Sequence, residues 1–294
     1  MRVTQSMLAN NMLRNLTSSF DRLGKYQDQL STGQKINRPS DDPVVAMKGI
    51  TYRRNLMEVE QFKRNFSEAY NWVENSDAAL DKAKKGLDRV RELLVQASND
   101  TYDESQRKSM AEEIKQLKEH LGEIANTKFG DKYLFNGTDT LNKPVDLTQT
   151  PIVVSDNTNP VEIELSKGVT MQVNVDPTKV FSQGLFDDID NIITKLTDPA
   201  TTGDDIDGFL ADVDKHLASM TDTRAELGAR VNRLELMEER IDEQKVISTR
   251  VMSDNEGIEV EEVITNLKMQ ESLHRAALSV GTRIIQPTLM DFLR

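Results

Sequence analysis

Residues 59–97, VEQFKRNFSEAYNWVENSDAALDKAKKGLDRVRELLVQA, decide the fold class. Val59, Phe62, Phe66, Ala69, Val73, Ser76, Leu80, Ala83, Leu87, Val90, Leu94 and Ala97 recur at alternating steps of three and four. That is the a/d spacing of a coiled coil, in which a helix buries one narrow seam against a partner. At the rise of an α-helix the stretch spans roughly 57 Å. Lys, Arg, Glu, Asp and Asn occupy most of the positions between, as a solvated outer face requires.

Towards the N-terminus a second seam runs through Leu13, Leu16, Phe20, Leu23, Gln27 and Leu30. Ser31-Thr-Gly33 interrupts it, with Gly33 a natural helix C-cap. In Asn37-Arg-Pro-Ser40-Asp41-Asp42-Pro43 the two prolines forbid a helix interior, whereas Asp42 before Pro43 suits the start of one. Towards the C-terminus, Asn99-Asp-Thr breaks the long helix, and a further helix carries Met110, Ile114, Leu117, Leu121 and Ile124.

From 134 to 181 the pattern changes to prolines and alternating runs, Val161-Glu-Ile-Glu-Leu and Val169-Thr-Met-Gln-Val-Asn-Val, which predict short strands with one buried face. Helix returns at 185–196. A third seam follows through Leu210, Val213, Leu217, Met220, Arg224, Leu227, Val231, Leu234, Glu238 and Ile241. Its two charged members predict a paired or open spot in the packing. A break is expected near 253–257. The last helix is amphipathic through Met269, Leu273, Ala277, Val280 and Ile284, Pro287 ends or kinks it, and Leu289 and Leu293 follow.

The expected architecture is mainly α: a long antiparallel coiled-coil rod formed by the N- and C-terminal halves, with a small inserted β-containing domain. The expected segments are 1–42, 43–137, 138–183, 184–254 and 255–294, with the first and last side by side.

The chain has 294 residues, no cysteine, 37% hydrophobic residues and a formal net charge of −12. Without cysteine, disulfides, Cys–zinc sites, iron–sulfur clusters and thiol catalysis are excluded. The acidity argues against nucleic acid as a partner. Residues 138–208 hold 4 basic and 13 acidic residues, while the ends are mildly basic, so the middle carries most of the excess. No apolar run is long enough to insert in a membrane, and residues 1–30 contain no signal-type apolar core. Composition taken alone therefore points to the cytosol.

No catalytic, cofactor-binding or metal-binding set emerges. His120, His216 and His274 are dispersed and form no His-Glu-x-x-His. Asp41-Asp42, beside two prolines, read as turn and cap residues rather than an acid–base pair. Asp187-Asp-Ile-Asp lacks the spacing of a calcium loop and reads as a solvated helix start. Trp72 sits next to seam position Val73, at the seam's edge or at a subunit contact. Of the twelve methionines, Met1, Met7, Met12, Met47, Met57, Met252, Met269 and Met290 recur towards the ends, either as adaptable interface residues or as helix filler.

Leu30-Ser-Thr-Gly-Gln-Lys-Ile-Asn followed by Ser40-Asp-Asp-Pro, together with Phe135-Asn-Gly-Thr, Leu227-Gly-Ala-Arg-Val-Asn-Arg-Leu and the C-terminal stretch from Glu261 through Ala276-Ala-Leu-Ser-Val-Gly-Thr-Arg-Ile-Ile to Leu293-Arg294, resembles the flagellin-type axial proteins of bacterial flagella. The resemblance covers about 1–138 and 205–294. It implies a structural subunit without catalysis, exported unfolded through the flagellum's own apparatus and located outside the cell. Two branches compete. Pro43-Val-Val-Ala after Asp42, the start Met1-Arg-Val-Thr-Gln-Ser-Met-Leu and the ending Thr282-Arg-Ile-Ile-Gln-Pro-Thr-Leu-Met-Asp-Phe-Leu favour the subunit at the hook–filament junction, with filament flagellin as the alternative and a non-flagellar coiled-coil binding module as a remote one. The implied partners are further copies of itself, the first hook–filament junction protein, flagellin, and a cytosolic export chaperone on the C-terminal helix. The implied assembly residues are Leu13, Leu16, Phe20, Leu23, Leu30, Met269, Leu273, Ala277, Val280, Ile284, Leu289 and Leu293, and the signature linker is Ser31, Gly33, Asn37, Ser40, Asp41, Asp42 and Pro43. Because short helices are marginal without packing, residues 1–40 and 255–294 are expected to be mobile in the isolated monomer and to order on assembly.

Overall fold

The computed structural model describes residues 5–99, 103–149 and 151–285. It is 73% helical, with long helices and a few small antiparallel strand pairs. The helices are α1 (Gln5–Thr32), α2 (Pro43–Ala97), α3 (Glu104–Ala125), α4 (Pro177–Val180), α5 (Gln183–Thr197), α6 (Gly203–Glu256) and α7 (Val260–Ile285). The strands are β1 (Lys128–Phe129), β2 (Lys132–Tyr133), β3 (Val145–Asp146), β4 (Val153–Val154), β5 (Glu162–Ser166) and β6 (Val169–Gln172). The chain divides into two compact units, one of residues 1–58 and 244–294 and the other of 59–243.

Local chemistry sets the helix starts. Asp42 Oδ1 accepts the amides of Val44 and Val45 at 2.9 and 3.1 Å, ahead of Pro43 at the first helical position. Gln106 Oε1 takes the Asp103 amide at the start of α3. Ser182 Oγ takes the amide of Leu185 at the start of α5.

In the unit of 59–243, α2 and α6 run antiparallel. Lys63–Asp242, Arg224–Asp77 and Arg91–Asp214 tie them at successive levels. Arg89–Glu113 joins α2 to α3, and Lys118–Asp190 joins α3 to α5. With α3 and α6 both against it, α2 buries more than its a/d seam. Trp72, Ala79 and Leu93 are as buried as Phe66, Val73 and Leu80. Trp72, 1% exposed, is therefore a core residue; a subunit contact through it is excluded within this chain's fold.

Among the described residues three antiparallel strand pairs make up the β portion, with Val145 opposite Val154, Ile163 opposite Met171, and an irregularity between Glu164 and Ser166. Strand structure starts at Lys128, earlier than the alternating runs suggested, because β1 and β2 are only two residues each. Val145, Leu165, Val173, Val175, Val180 and Phe181 join one core with the helices. Asn126 fastens this region by mimicking a backbone partner: its Nδ2 donates to the Val145 carbonyl and its Oδ1 accepts the Val145 amide. Asn65 of α2 donates to the Glu164 carbonyl at 2.7 Å.

Both charged seam residues of α6 are paired. Arg224 bonds Asp77 and Asp81, and the Glu238 carboxylate lies beside the phenol of Tyr70. Burial first, and then Glu238, push the Tyr70 pKa up to about 12.

Candidate assembly surface

The unit of residues 1–58 and 244–294 is built differently. Among the described residues, all the exposed large apolar side chains except Val95, Leu141, Val153 and Leu236 belong to it. The fully formed apolar core lies wholly in the other unit.

α1 and α7 pack antiparallel. Met12 lies over Gly281, where a Cβ would overlap its thioether, and the Phe20 and His274 ring centroids are 6.0 Å apart. Arg22 Nε donates to Gln270 at 3.4 Å. The covered face of α1 follows Met12, Leu16, Ser19, Leu23, Tyr26 and Leu30. The expected seam is therefore split: Leu16, Leu23 and Leu30 are partly covered, while Leu13 and Phe20 are 53% and 65% exposed.

The split is sharper on α7. Its covered face is Val263, Leu267, Gln270, His274, Ala277 and Gly281, mostly small or polar. Of the seam expected there, Ala277 alone is on that face, while Met269, Leu273 and Val280 point outward with Val260, Ile264 and Leu278. The physical reason is steric: Gly281 and Ala277 admit the α1 side chains closely, so the pair closes on its small residues and turns its larger ones out. The side chain of Ile284, and Leu289 and Leu293, lie outside the described residues.

The start of α2 carries a second stripe, Val44, Met47, Ile50 and Met57, and the end of α6 carries Val246, Ile247 and Val251, all exposed. Sequence reasoning followed the seam and missed Val44, Ile50, Val246, Ile247 and Val251, while Met47 and Met57 entered only among the methionines towards the ends. Their signal was present as apolar residues out of phase with Val45, Tyr52 and Val59.

The signature linker forms a joint. Gly33 adopts a left-handed φ of 69°, and its amide bonds the Gln29 carbonyl. Asp41 Oδ2 accepts the amides of Asn37 and Arg38, and the Asn37 side chain accepts from Thr32 Oγ1. Ser31 Oγ donates to the Asp28 carbonyl, while Ser40 is an exposed turn residue. Across from the linker, the Lys35 amide bonds the Glu256 carbonyl at 2.7 Å and the Ile258 amide bonds the Gly33 carbonyl. Gln29 Nε2 bonds the Lys35 carbonyl, and Arg53 pairs with the Glu256 carboxylate. Beside this joint lies a cavity of about 470 Å³, with Arg22, Lys25 and Lys35 on one wall and Asp254, Glu259 and Glu262 on the other.

The chemical candidates are absorbed structurally. His216 Nε2 is 2.9 Å from Asp188, Asp190 pairs with Lys118, and Asp187 accepts from Gln183. Among the described residues no cluster of His and carboxylates is placed to hold a metal ion, and no helix is long and apolar enough to cross a membrane. What the geometry offers is a set of exposed apolar stripes on paired helices, which is the chemistry of helix–helix association.

Residues 3–140 match the family described as the bacterial flagellin N-terminal helical region. Across 96% of its length the chain is 25% identical to flagellar hook-associated protein 3 of Escherichia coli K12, of which it spans 96%. It is 29% identical to a flagellin of Bacillus subtilis over 80% of each chain. Among solved structures, it shares its fold with one described as a flagellar hook-associated protein from Vibrio parahaemolyticus, at a TM-score of 0.69 and 23% identity, covering 74% of this chain and 100% of that one.

Proposed function

We propose that the chain is a member of the flagellin family of bacterial flagellar proteins, a structural subunit without enzymatic activity, and that it joins the hook to the flagellin filament. The observation that carries the reading is end-to-end correspondence with a hook-associated protein 3, 96% of each chain, against 80% with a flagellin. In this reading the subunit acts outside the cell, after export in an unfolded state. A chain without cysteine suits that route, because it cannot be obstructed by a disulfide.

The terminal segments 1–42 and 255–294 are the assembling parts. Their exposed stripes, Leu13 and Phe20 on one helix and Met269, Leu273 and Val280 on the other, are covered by neighbouring copies, by the first junction protein and by flagellin. Burying them offsets the entropy of fixing the helices. Before export, a cytosolic chaperone covers the C-terminal helix. The acidic middle faces solvent.

Labelling the protein on assembled flagella tests the reading. A band at the distal end of the hook is expected; label along the whole filament would identify a flagellin instead. Deleting the gene should leave cells that release unassembled flagellin into the medium. The expected ordering of residues 1–40 and 255–294 on assembly is tested separately by proteolysis of the monomer, in which both ends should be cut well before 59–97.

A further inference from the structure

The Phe135-Asn136-Gly137-Thr stretch is taken into the core of the unit of 59–243. Phe135 and Asn136 are 0% and 1% exposed, and the Phe135 and Phe181 ring centroids are 5.1 Å apart. Asn136 Nδ2 donates to the Asn142 carbonyl at 3.0 Å, while its Oδ1 is buried without a partner among the described residues. Gly137, itself buried, has a φ of +52°, and the Asn157 carbonyl oxygen stands where a Cβ would need room. The fold therefore uses an asparagine and a glycine in succession, and 136–137 is the only Asn-Gly pair in the sequence.

That pair carries a chemical liability. Because glycine has no side chain, its backbone nitrogen can approach the asparagine Cγ unhindered. A C–N bond forms at Cγ, the bond to the side-chain nitrogen breaks, and ammonia leaves with the proton of the glycine amide. Water then opens the five-membered succinimide to aspartate or isoaspartate, and no electrons are exchanged. In the folded chain three features oppose the first step. The side-chain amide is held by the Asn142 carbonyl. Negative charge developing on Oδ1 meets no donor there. Gly137 is confined by the backbone of Asn157.

We propose that Asn136 is a spontaneous deamidation site that the fold holds closed, and that its conversion in the unfolded chain keeps that chain from refolding. The chemistry depends on the unit of 59–243 alone, not on where the subunit is assembled. An aspartate at 136 sets a carboxylate oxygen against the Asn142 carbonyl oxygen, so two acceptors face each other and a charge is buried. An isoaspartate lengthens the backbone by one methylene beside the close approach of Gly137 to Asn157, where there is no slack. Time spent unfolded is thereby recorded in the chain, and folding stops the reaction.

The test ages the purified full-length chain in mildly alkaline buffer, with and without guanidinium chloride, and maps the conversion of each asparagine by peptide mass spectrometry. In denaturant Asn136 should convert faster than every other asparagine. Without denaturant it should convert at least about tenfold more slowly. Equal rates at 136 in the two conditions would overturn the protection, and a different asparagine leading in denaturant would overturn the site. The aged chain is then diluted out of denaturant, and limited proteolysis removes what has not refolded. Surviving chains should carry asparagine at 136, with aspartate and isoaspartate concentrated in the digested remainder. The same proportions in both fractions would show that the fold tolerates the product, against the proposal. Asn136→Asp isolates the charge without ageing. Its guanidinium midpoint should lie well below that of wild type, and an equal midpoint would overturn the account of the aspartate. None of these outcomes alters the hook–filament reading, which labelling on flagella decides separately.

Discussion

Arg53 grips Glu256 with both Nε and Nη2, at 3.2 and 2.6 Å, one helical turn beyond Gly49, whose missing side chain leaves room for the Glu256 carboxylate. The carboxylate, by hydrogen bond and then by charge, holds the Arg53 guanidinium's pKa above its ordinary value. Gly49→Ala should therefore give different results in two backgrounds. In the native chain the new methyl displaces the carboxylate, so the roughly 1 kcal/mol that alanine adds to a helix is offset by a half-exposed ion pair of about the same size or less. In a Glu256→Ala background nothing opposes the helix gain, and Gly49→Ala should stabilise by roughly 1 kcal/mol. Urea midpoints of the four chains give the coupling, and equal effects in both backgrounds would show that the carboxylate does not occupy that space.

Arg224 stands on the α6 seam where an apolar residue would be expected, and bonds Asp77 at 2.8 and 3.2 Å and Asp81 at 2.9 Å. The cluster is partly exposed, so a double-mutant cycle of Arg224→Ala with Asp77→Ala should return a coupling of only about 0.5–1 kcal/mol. In 1 M salt, where screening acts within about 3 Å, the coupling should shrink. Asp81 is held below its usual carboxylate pKa, first by its hydrogen bond to Lys85, then by the charges of Lys85 and Arg224. A depressed carboxylate contributes stability above its unfolded pKa and loses it as pH falls through the folded value. Asp81→Asn should therefore flatten the acid limb of the stability curve by lowering stability in the neutral region, and leave it nearly unchanged below the carboxylate range. An unaltered acid limb would remove Asp81 from the account.

Tyr70 supplies the opposite limb. Its phenol is raised to about 12 by burial and by Glu238, so the folded chain holds this proton more tightly than the unfolded chain. The associated stability is whole below pH about 10 and is lost as pH climbs towards 12. Spectrophotometric titration should show one late tyrosine. Glu238→Gln should bring it down by removing the charge while leaving the burial. A Tyr70 that titrates at the ordinary phenol value would contradict the packing of Glu238 against it.

Legibility in the sequence followed the number of packing partners. The seam of 59–97 could be read because each of its residues meets a helix inside the same unit, and Phe66, Val73, Leu80, Leu87 and Leu94 are buried. Trp72 and Leu93 could not be assigned, since a/d spacing describes two helices and α2 has both α3 and α6 beside it. At the ends the seams were legible as apolar stripes, but not the face they present. On α7 the small residues Ala277 and Gly281 draw α1 to a face that leaves Leu273 exposed, and spacing alone does not rank close approach against apolar area. The joint of Gly33, Lys35, Glu256 and Ile258 was invisible because it is held mainly by backbone bonds between residues more than two hundred positions apart.

Gly137 has a φ of +52°, and a Cβ there would stand 2.5 Å from the carbonyl oxygen of Asn157. Both the conformation and the contact oppose a side chain, and the neighbour is backbone that cannot swing away. Gly137→Ala should cost roughly 1–3 kcal/mol. Gly130 also has positive φ but faces open space, so Gly130→Ala should cost less, about 1 kcal/mol. Thermal melts of the two variants rank the contributions, and equal losses would mean that the Asn157 contact adds nothing to the φ penalty.

The exposed stripes should separate stability from assembly. Leu273 is 52% exposed and Met47 68%, so Leu273→Glu or Met47→Glu removes little packing from the isolated chain and should change its unfolding free energy by no more than about 0.5 kcal/mol. The same charges placed in a buried helix–helix contact would face an apolar neighbour without a partner, and incorporation at the hook end should fall at least about tenfold. Phe66→Ala makes the converse case. It hollows the core of the other unit and should cost roughly 3–5 kcal/mol while leaving the stripes untouched. Chemical denaturation and quantification of flagellin released into the medium, performed on all three variants, distinguish the two classes. Glutamate variants that unfold the monomer would mean the stripes are already core, whereas variants that retain filaments as well as wild type does would mean that no neighbour covers them.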